Sequence, residues 1–274
     1  VGRRCFFFVP ALGFGSNEVQ QSGWDIAVTL VDRIRDDEGV IRVLDDGSRR
    51  YLAFCEQYEQ SCVAKADPAL AQHDFVRAML LVLLFCEPRK ALLFGLGGGA
   101  LSSALHHHVP RLQQRVIELR PAVIEVAYRY FQLPRSKRLE VLAMDVAEYL
   151  AQADAASTDL LCSDLYGADG LDMLQLEPWF VERCHELLRP DGWLVLNFWR
   201  EHQSARDTLA IVHRLFPDVR ASTTASGNWV VLAGKRVGAP AAGELKVRAQ
   251  AWSQRLGFSL LPYLARLRPL GPAP

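Results

Sequence analysis

The chain carries no net charge: its 31 Lys and Arg residues offset 31 Asp and Glu residues over 274 positions. It therefore lacks the basic surface that nucleic-acid binding needs and the charge excess that keeps chains unfolded. An apolar run of membrane length is missing too. The longest run, residues 78–86, cannot cross a hydrocarbon core about 30 Å thick at a rise of about 1.5 Å per residue. Arg3-Arg4 precede an apolar stretch too short for a secretory leader, so a cytoplasmic protein is expected. The six cysteines include no C-x-x-C pair, which argues against a zinc site or disulfide framework and for buried free thiols. Also absent are internal repeats, low-complexity segments and the Gly-x-x-x-x-Gly-Lys-Ser/Thr loop of nucleotide hydrolases. His106-His107-His108 invites a metal reading, but adjacent helical positions point in different directions, so no metal is expected.

What is present is apolar patterning over 50% of the residues, enough for one large α/β domain with accessory elements. Short β-type stretches at 26–30 and 40–44, broken by Arg35-Asp36-Asp37-Glu38-Gly39 and Asp45-Asp46-Gly47, read as a small antiparallel sheet within residues 1–66. Residues 69–86 read as a buried helix capped by Asp67 with Pro68 at its first position. From Lys90 strands and helices alternate regularly, with strands at 91–95, 115–118, 139–142, 159–164 and 193–198. Such alternation means right-handed βαβ units and a parallel sheet covered on both faces. Pro190-Asp191-Gly192 reads as a turn before the fifth strand. The last two strands, 219–223 and 229–233, have no helix between them and should form an antiparallel edge hairpin. This alternating unit spans 67–238, and 239–274 holds a helix near 244–256 and a Pro-rich tail.

Gly95-Leu96-Gly97-Gly98-Gly99 stands where the first buried strand ends and a helix begins, the setting in which backbone amides can approach a ligand. The next strand ends in Glu118, 23 positions after Gly95, where a carboxylate can accept both hydroxyls of a ribose. A capping role before the Pro121 helix is the plainer alternative for it. The third strand ends in Asp145, followed by Val146; the acid can reach an adenine amino group, N-cap its helix, or do both. The fourth ends Ser163-Asp164-Leu165-Tyr166-Gly167, at the carboxyl rim where α/β folds place their chemistry. Asp164 and Tyr166 are the candidate catalytic residues, with loop bracing as the alternative for Asp164.

These segments, together with Val116-Ile117-Glu118-Leu119-Arg120-Pro121, Ala127-Tyr128-Arg129-Tyr130-Phe131-Gln132-Leu133-Pro134 and Met144-Asp145-Val146-Ala147-Glu148-Tyr149-Leu150, resemble in order the signatures of the spermidine synthase family, the polyamine aminopropyltransferases. The resemblance runs over about residues 24–233. It implies a Rossmann-like class I methyltransferase fold, a seven-stranded mostly parallel sheet with an antiparallel edge hairpin behind a small N-terminal β domain, in a homodimer. It also implies transfer of an aminopropyl group from decarboxylated S-adenosylmethionine to putrescine or a related amine. Glu118 would hold the ribose, Asp145 with Val146 the adenine, and Gly95, Gly97, Gly98 and Gly99 the donor's methionine-derived end. No metal, nucleic acid or membrane partner is implied.

The chain departs from that family at the polyamine end. Gly98 stands where a loop Asp is expected and Gly167 where a second Asp follows Asp164, with Asp169 two residues late. Trp24-Asp25 replaces a Tyr-Gln pair, and Gln72-His73-Asp74 a Tyr-His-Glu stretch. Without the loop acid, carboxylated S-adenosylmethionine is also an acceptable donor. A methyltransferase on the same scaffold and a nucleoside-binding protein without turnover therefore stand beside the aminopropyltransferase reading. Trp24, Trp179 and Trp199 could wall a substrate pocket or simply pack.

Overall fold

In the computed structural model, which describes residues 28–55, 59–168, 170–238 and 240–271, the expected N-terminal sheet is a four-stranded antiparallel meander. Strand β1 (Thr29–Asp36) turns through Asp37-Glu38 into β2 (Gly39–Asp45), and runs further along the chain than the apolar pattern suggested. Asp36 caps that turn by accepting from the Glu38 amide at 3.0 Å. Asp45 and Asp46 likewise accept from the Gly47, Ser48 and Arg49 amides, turning the chain into β3 (Arg49–Ala53), and β4 (Ser61–Ala64) completes the sheet.

The helix expected over 69–86 is shorter. Helix α1 covers only Asp74–Met79 and passes into a tight 3₁₀ segment at Leu80–Leu84. Asp67 accepts from the Ala69 amide in an Asx-turn, and Ala71 bridges to Val63 on β4. Residues 69–73 thus form a turn with one bridge to the small sheet instead of opening a helix.

The main domain then follows: β5 (Lys90–Phe94), α2 (Ala100–His108), β6 (Gln113–Glu118), α3 (Pro121–Tyr130), β7 (Leu139–Ala143), α4 (Val146–Gln152) and β8 (Thr158–Ser163). A two-residue hairpin, β9 (Tyr166–Gly167) and β10 (Gly170–Leu171), precedes α5 (Pro178–Leu187), β11 (Leu188–Trp199) and α6 (Arg206–Leu215). The chain ends with β12 (Asp218–Thr223), β13 (Asn228–Gly234), α7 (Ala242–Leu256), α8 (Leu261–Leu264) and β14 (Arg268–Pro269). The large sheet has the order β14-β12-β13-β11-β8-β5-β6-β7, parallel from β11 to β7 and antiparallel at the β12–β13 hairpin. Two details depart from the sequence reading. Residues 190–192 form an irregularity within β11, which pairs with β8 at Leu188 and again from Trp193. Part of the supposed tail adds an eighth strand, β14, opposite Arg220 and Ala221.

Helices cover both faces, so central strands are apolar at consecutive positions. On β5, Leu93 packs with Val116, Leu160 and Val195 on one side, while Leu92 and Phe94 pack with Ile117, Leu161 and Leu194 on the other. The first of these layers also takes in Ile41, Val43, Leu52 and Val63 from the small sheet and Leu245, Ala249 and Leu256 from α7. Both sheets therefore share one apolar layer. Among the described residues Cys62, Cys162 and Cys184 are buried free thiols, and no helix is long and apolar enough to cross a membrane.

Candidate active site

Strand order sets the site. Neighbouring ends β7, β6, β5 and β8 carry in turn Asp145, Glu118, Gly95 and Asp164. Backbone bonds fix these ends together: Met144 N–H to the Glu118 carbonyl (3.0 Å), Gly95 N–H to Ile117 (2.9 Å) and Asp164 N–H to Phe94 (2.9 Å). Three inter-strand steps of about 4.8 Å put roughly 14 Å between the first and last, the span of a nucleoside with a short alkyl arm.

Glu118 is buried and tied to the loop. Its Oε2 accepts from the Leu96 amide and its Oε1 from the Arg120 amide, each at 3.0 Å. Loss of solvent raises its pKa, and these backbone donors act in the opposite direction. Glu118 thus braces the loop through backbone amides and also lines the cavity. Asp145 is the N-cap of α4: Oδ1 accepts from Ala147 (2.7 Å) and Glu148 (3.1 Å). It and Val146 also line the cavity.

The glycines divide by role. Gly95 and Gly97 line the cavity, whereas Gly98 and Gly99 are buried outside its lining. A Cβ on Gly95 would collide with the Asp164 carbonyl, so strand β8 itself demands glycine there. At Gly98 a Cβ would stand 2.7 Å from the Phe131 ring and 2.8 Å from Ser61 Oγ. Gly99, the left-handed N-cap of α2 with φ 77°, packs on Leu133.

Asp164 meets a polar network that spacing in sequence could not reveal. Asn197 on β11 donates from Nδ2 to Asp164 Oδ1 at 2.8 Å, and accepts at Oδ1 from Asn228 Nδ2 at 3.2 Å. The Asn197 carbonyl accepts from Tyr166 Oη and from Gln175 Nε2, both at 3.2 Å. Desolvation raises the Asp164 pKa to about 6, against the lowering effect of Asn197. Burial raises the Tyr166 phenol as well, with Asp164 and Glu201 adding to the shift. Tyr166 thus stays neutral and donates, packing edge-on against Trp199 with centroids 6.3 Å apart.

The cavity these residues enclose has a volume of about 680 Å³. Among the described residues its lining carries seven carboxylates and one guanidinium, Arg120, which is held by Asp36 at 2.8 Å. Trp199 lines it; Trp179 does not and is exposed. Trp24, Asp25 and Asp169 lie outside the described residues.

No family model matches the chain. A polyamine aminopropyltransferase of Chromobacterium violaceum is 28% identical over 236 residues, covering 83% of this chain and 89% of that protein. An eEF1A lysine and N-terminal methyltransferase homolog of Drosophila melanogaster is 30% identical over 140 residues, 48% of this chain and 21% of that protein. Among solved structures, a probable spermidine synthase from Corynebacterium glutamicum superposes with a TM-score of 0.69 at 17% identity, over 84% of this chain and 88% of that one. Human Methyltransferase-like protein 13 in complex with SAH gives 0.60 at 23% identity, over 73% and 95%. Fold and relatives together define a transferase on a class I methyltransferase-like scaffold. Within that class the chain is similar in sequence order and fold to spermidine synthase-like proteins, from which it diverges widely.

Proposed function

We propose that the protein transfers an aminopropyl group from a sulfonium nucleoside, decarboxylated S-adenosylmethionine, to an amine acceptor of the putrescine type. The observation that carries this reading is the rim order Asp145, Glu118, glycine loop, Asp164 beside an acidic cavity. That order suits adenine, ribose, sulfonium arm and acceptor in turn, and an excess of carboxylates favours a cationic donor and a cationic acceptor. The leaving group is already activated, so the protein's work is alignment, water exclusion and proton removal. The acceptor nitrogen forms a bond to the arm's terminal carbon at sulfur as the C–S bond breaks. Its electron pair returns to sulfur, neutralises the sulfonium and releases methylthioadenosine. Before that attack Asp164, whose pKa near 6 leaves it ionised at neutral pH, takes a proton from the acceptor's ammonium and so frees the lone pair that forms the new bond. Tyr166, a neutral donor, shapes the acceptor wall.

Methyl transfer is the second reading. It is favoured by glycine at 98 and 167 and by the methyltransferase among the relatives. Incubation with either donor and putrescine, followed by mass spectrometry, separates the two. Spermidine with methylthioadenosine supports the first reading. S-adenosylhomocysteine with a methylated product overturns it in favour of the second.

A further inference from the structure

The glycine loop offers a passing ligand no charged side chain, so any charge met there comes from the wall that faces it. That wall is the entry to β4. Ser61 is the nearest neighbour of Gly97, 3.6 Å from where a Cβ would stand, and Glu59 and Gln60 just before it also line the cavity. Among the described residues no ion pair joins Glu59 to a Lys or Arg, although the charge of Arg49 acts on it from further away; His73 Nε2 lies 3.6 Å from its Oε1. His73 lines the same cavity, is fixed by stacking on Phe75 (centroids 5.1 Å apart), and has a buried Nε2 with no hydrogen-bond partner among the described residues. Two incompletely satisfied polar groups therefore meet at one wall of a cavity. Burial raises the Glu59 pKa, with Arg49 acting in the opposite direction, and lowers that of His73 to about 4, so at neutral pH the imidazole is uncharged and does not itself neutralise Glu59.

We propose that Glu59, with His73 as its positioning residue, forms a primary-ammonium subsite on the small-sheet side of the glycine loop. Asp164, whose backbone carbonyl abuts Gly95, lines the same cavity. The ammonium can belong to the donor's alkyl arm or to a diamine acceptor. This inference rests on the reading of the cavity as a nucleoside-donor site only for the choice between those sources.

Calorimetric titration of wild type, Glu59→Gln, His73→Phe and the double variant tests it with three probes: methylthioadenosine, which has no ammonium, decarboxylated S-adenosylmethionine, and putrescine. Glu59→Gln should weaken at least one ammonium-bearing probe about tenfold or more, with methylthioadenosine unchanged within about twofold. His73→Phe should weaken the same probe less, and the double variant should lose no more than Glu59→Gln alone, because His73 acts through Glu59. Selective loss for the sulfonium assigns the donor arm, and selective loss for putrescine assigns the acceptor. Wild type binding neither ammonium probe, Glu59→Gln binding both as wild type does, or a parallel loss of methylthioadenosine would each overturn the subsite. A Glu59-dependent putrescine affinity without any methylthioadenosine binding would instead sink the nucleoside-donor reading and leave the subsite standing.

Discussion

At Asp164 the proposed chemistry and the fold make opposite demands. Transfer needs the carboxyl ionised, while its burial lifts the pKa from 3.8 to about 6. A folded-state pKa above the unfolded one means that the native state binds the proton more tightly. The resulting stabilisation is complete below pH 3.8 and is lost as pH rises through 6, a difference of roughly 3 kcal/mol at about 1.4 kcal/mol per unit. Asp164→Asn still offers Asn197 an acceptor and cannot ionise. Its stability advantage over wild type in urea unfolding should therefore grow by about 2–3 kcal/mol between pH 4 and pH 8. An advantage independent of pH would show that the carboxyl is not held against ionisation. The same variant should lose transfer, and the wild-type rate should fall on the acid side near pH 6. Asn197→Ala removes the hydrogen bond that lowers this pKa, so its acid limb should move upward; a fixed limb would exclude Asp164 as the titrating base. Gly98→Asp makes a separate steric point. With Phe131 and Ser61 already in the space, introducing that acid should cost about 1–3 kcal/mol of stability without adding transferase activity. A variant as stable as wild type would show that the loop can open there.

At the scale of elements, the β1–β2 hairpin is tied to the large domain by the side chains of Tyr130, which donates to Asp32, and Arg120. Arg120 donates from Nε and Nη2 to Asp36 at 3.0 and 2.8 Å and from Nη2 to the Gly39 carbonyl at 3.3 Å, with its guanidinium 4.6 Å from the Phe54 ring. Its side chain is only 8% exposed, so removing it strands Asp36 in a partly desolvated setting, at a cost of about 3 kcal/mol. Arg120→Ala should speed hydrogen exchange over residues 29–45 and weaken nucleoside binding, since Glu38 and Phe54 line the cavity. Unchanged exchange there would mean that the apolar face and the Tyr130–Asp32 hydrogen bond hold the hairpin without Arg120. This contact, like much of the site, is invisible to spacing. The strand ends with Gly95, Glu118, Asp145 and Asp164 were legible because apolar runs stop abruptly at glycine or acid. The helix over 69–86 was misjudged because Ala71 answers to Val63, a partner that local propensity cannot see. Asn197 left a trace, an amide inside Leu194-Val195-Leu196-Asn197-Phe198, and a buried amide must find partners. Which carboxylate it found follows from β11 lying beside β8. Glu59 left none: it becomes notable only once β4 lies over the loop.

For the whole molecule, the common layer of Ile41, Val43, Leu52 and Val63 with Leu93, Val116 and Val230 makes separate unfolding of the two sheets costly. The sequence reading divides the chain at residue 66, and apolar patterning alone cannot say whether the pieces share a core. Each sheet also supplies cavity lining, Phe54 and Ser61 from one side, Glu118 and Asp164 from the other. A ligand in that cavity therefore stabilises both, because it binds only when they are docked. At a methylthioadenosine concentration of about 100 Kd the gain should be about 2.7 kcal/mol. Trp193, Trp199 and Trp229 report the large sheet by fluorescence, and exchange protection of residues 39–53 reports the small one. Both should give the same unfolding free energy and the same ligand increment. Two transitions, with the increment confined to the tryptophan signal, would show that the small sheet opens independently and that nucleoside binding belongs to the large sheet alone.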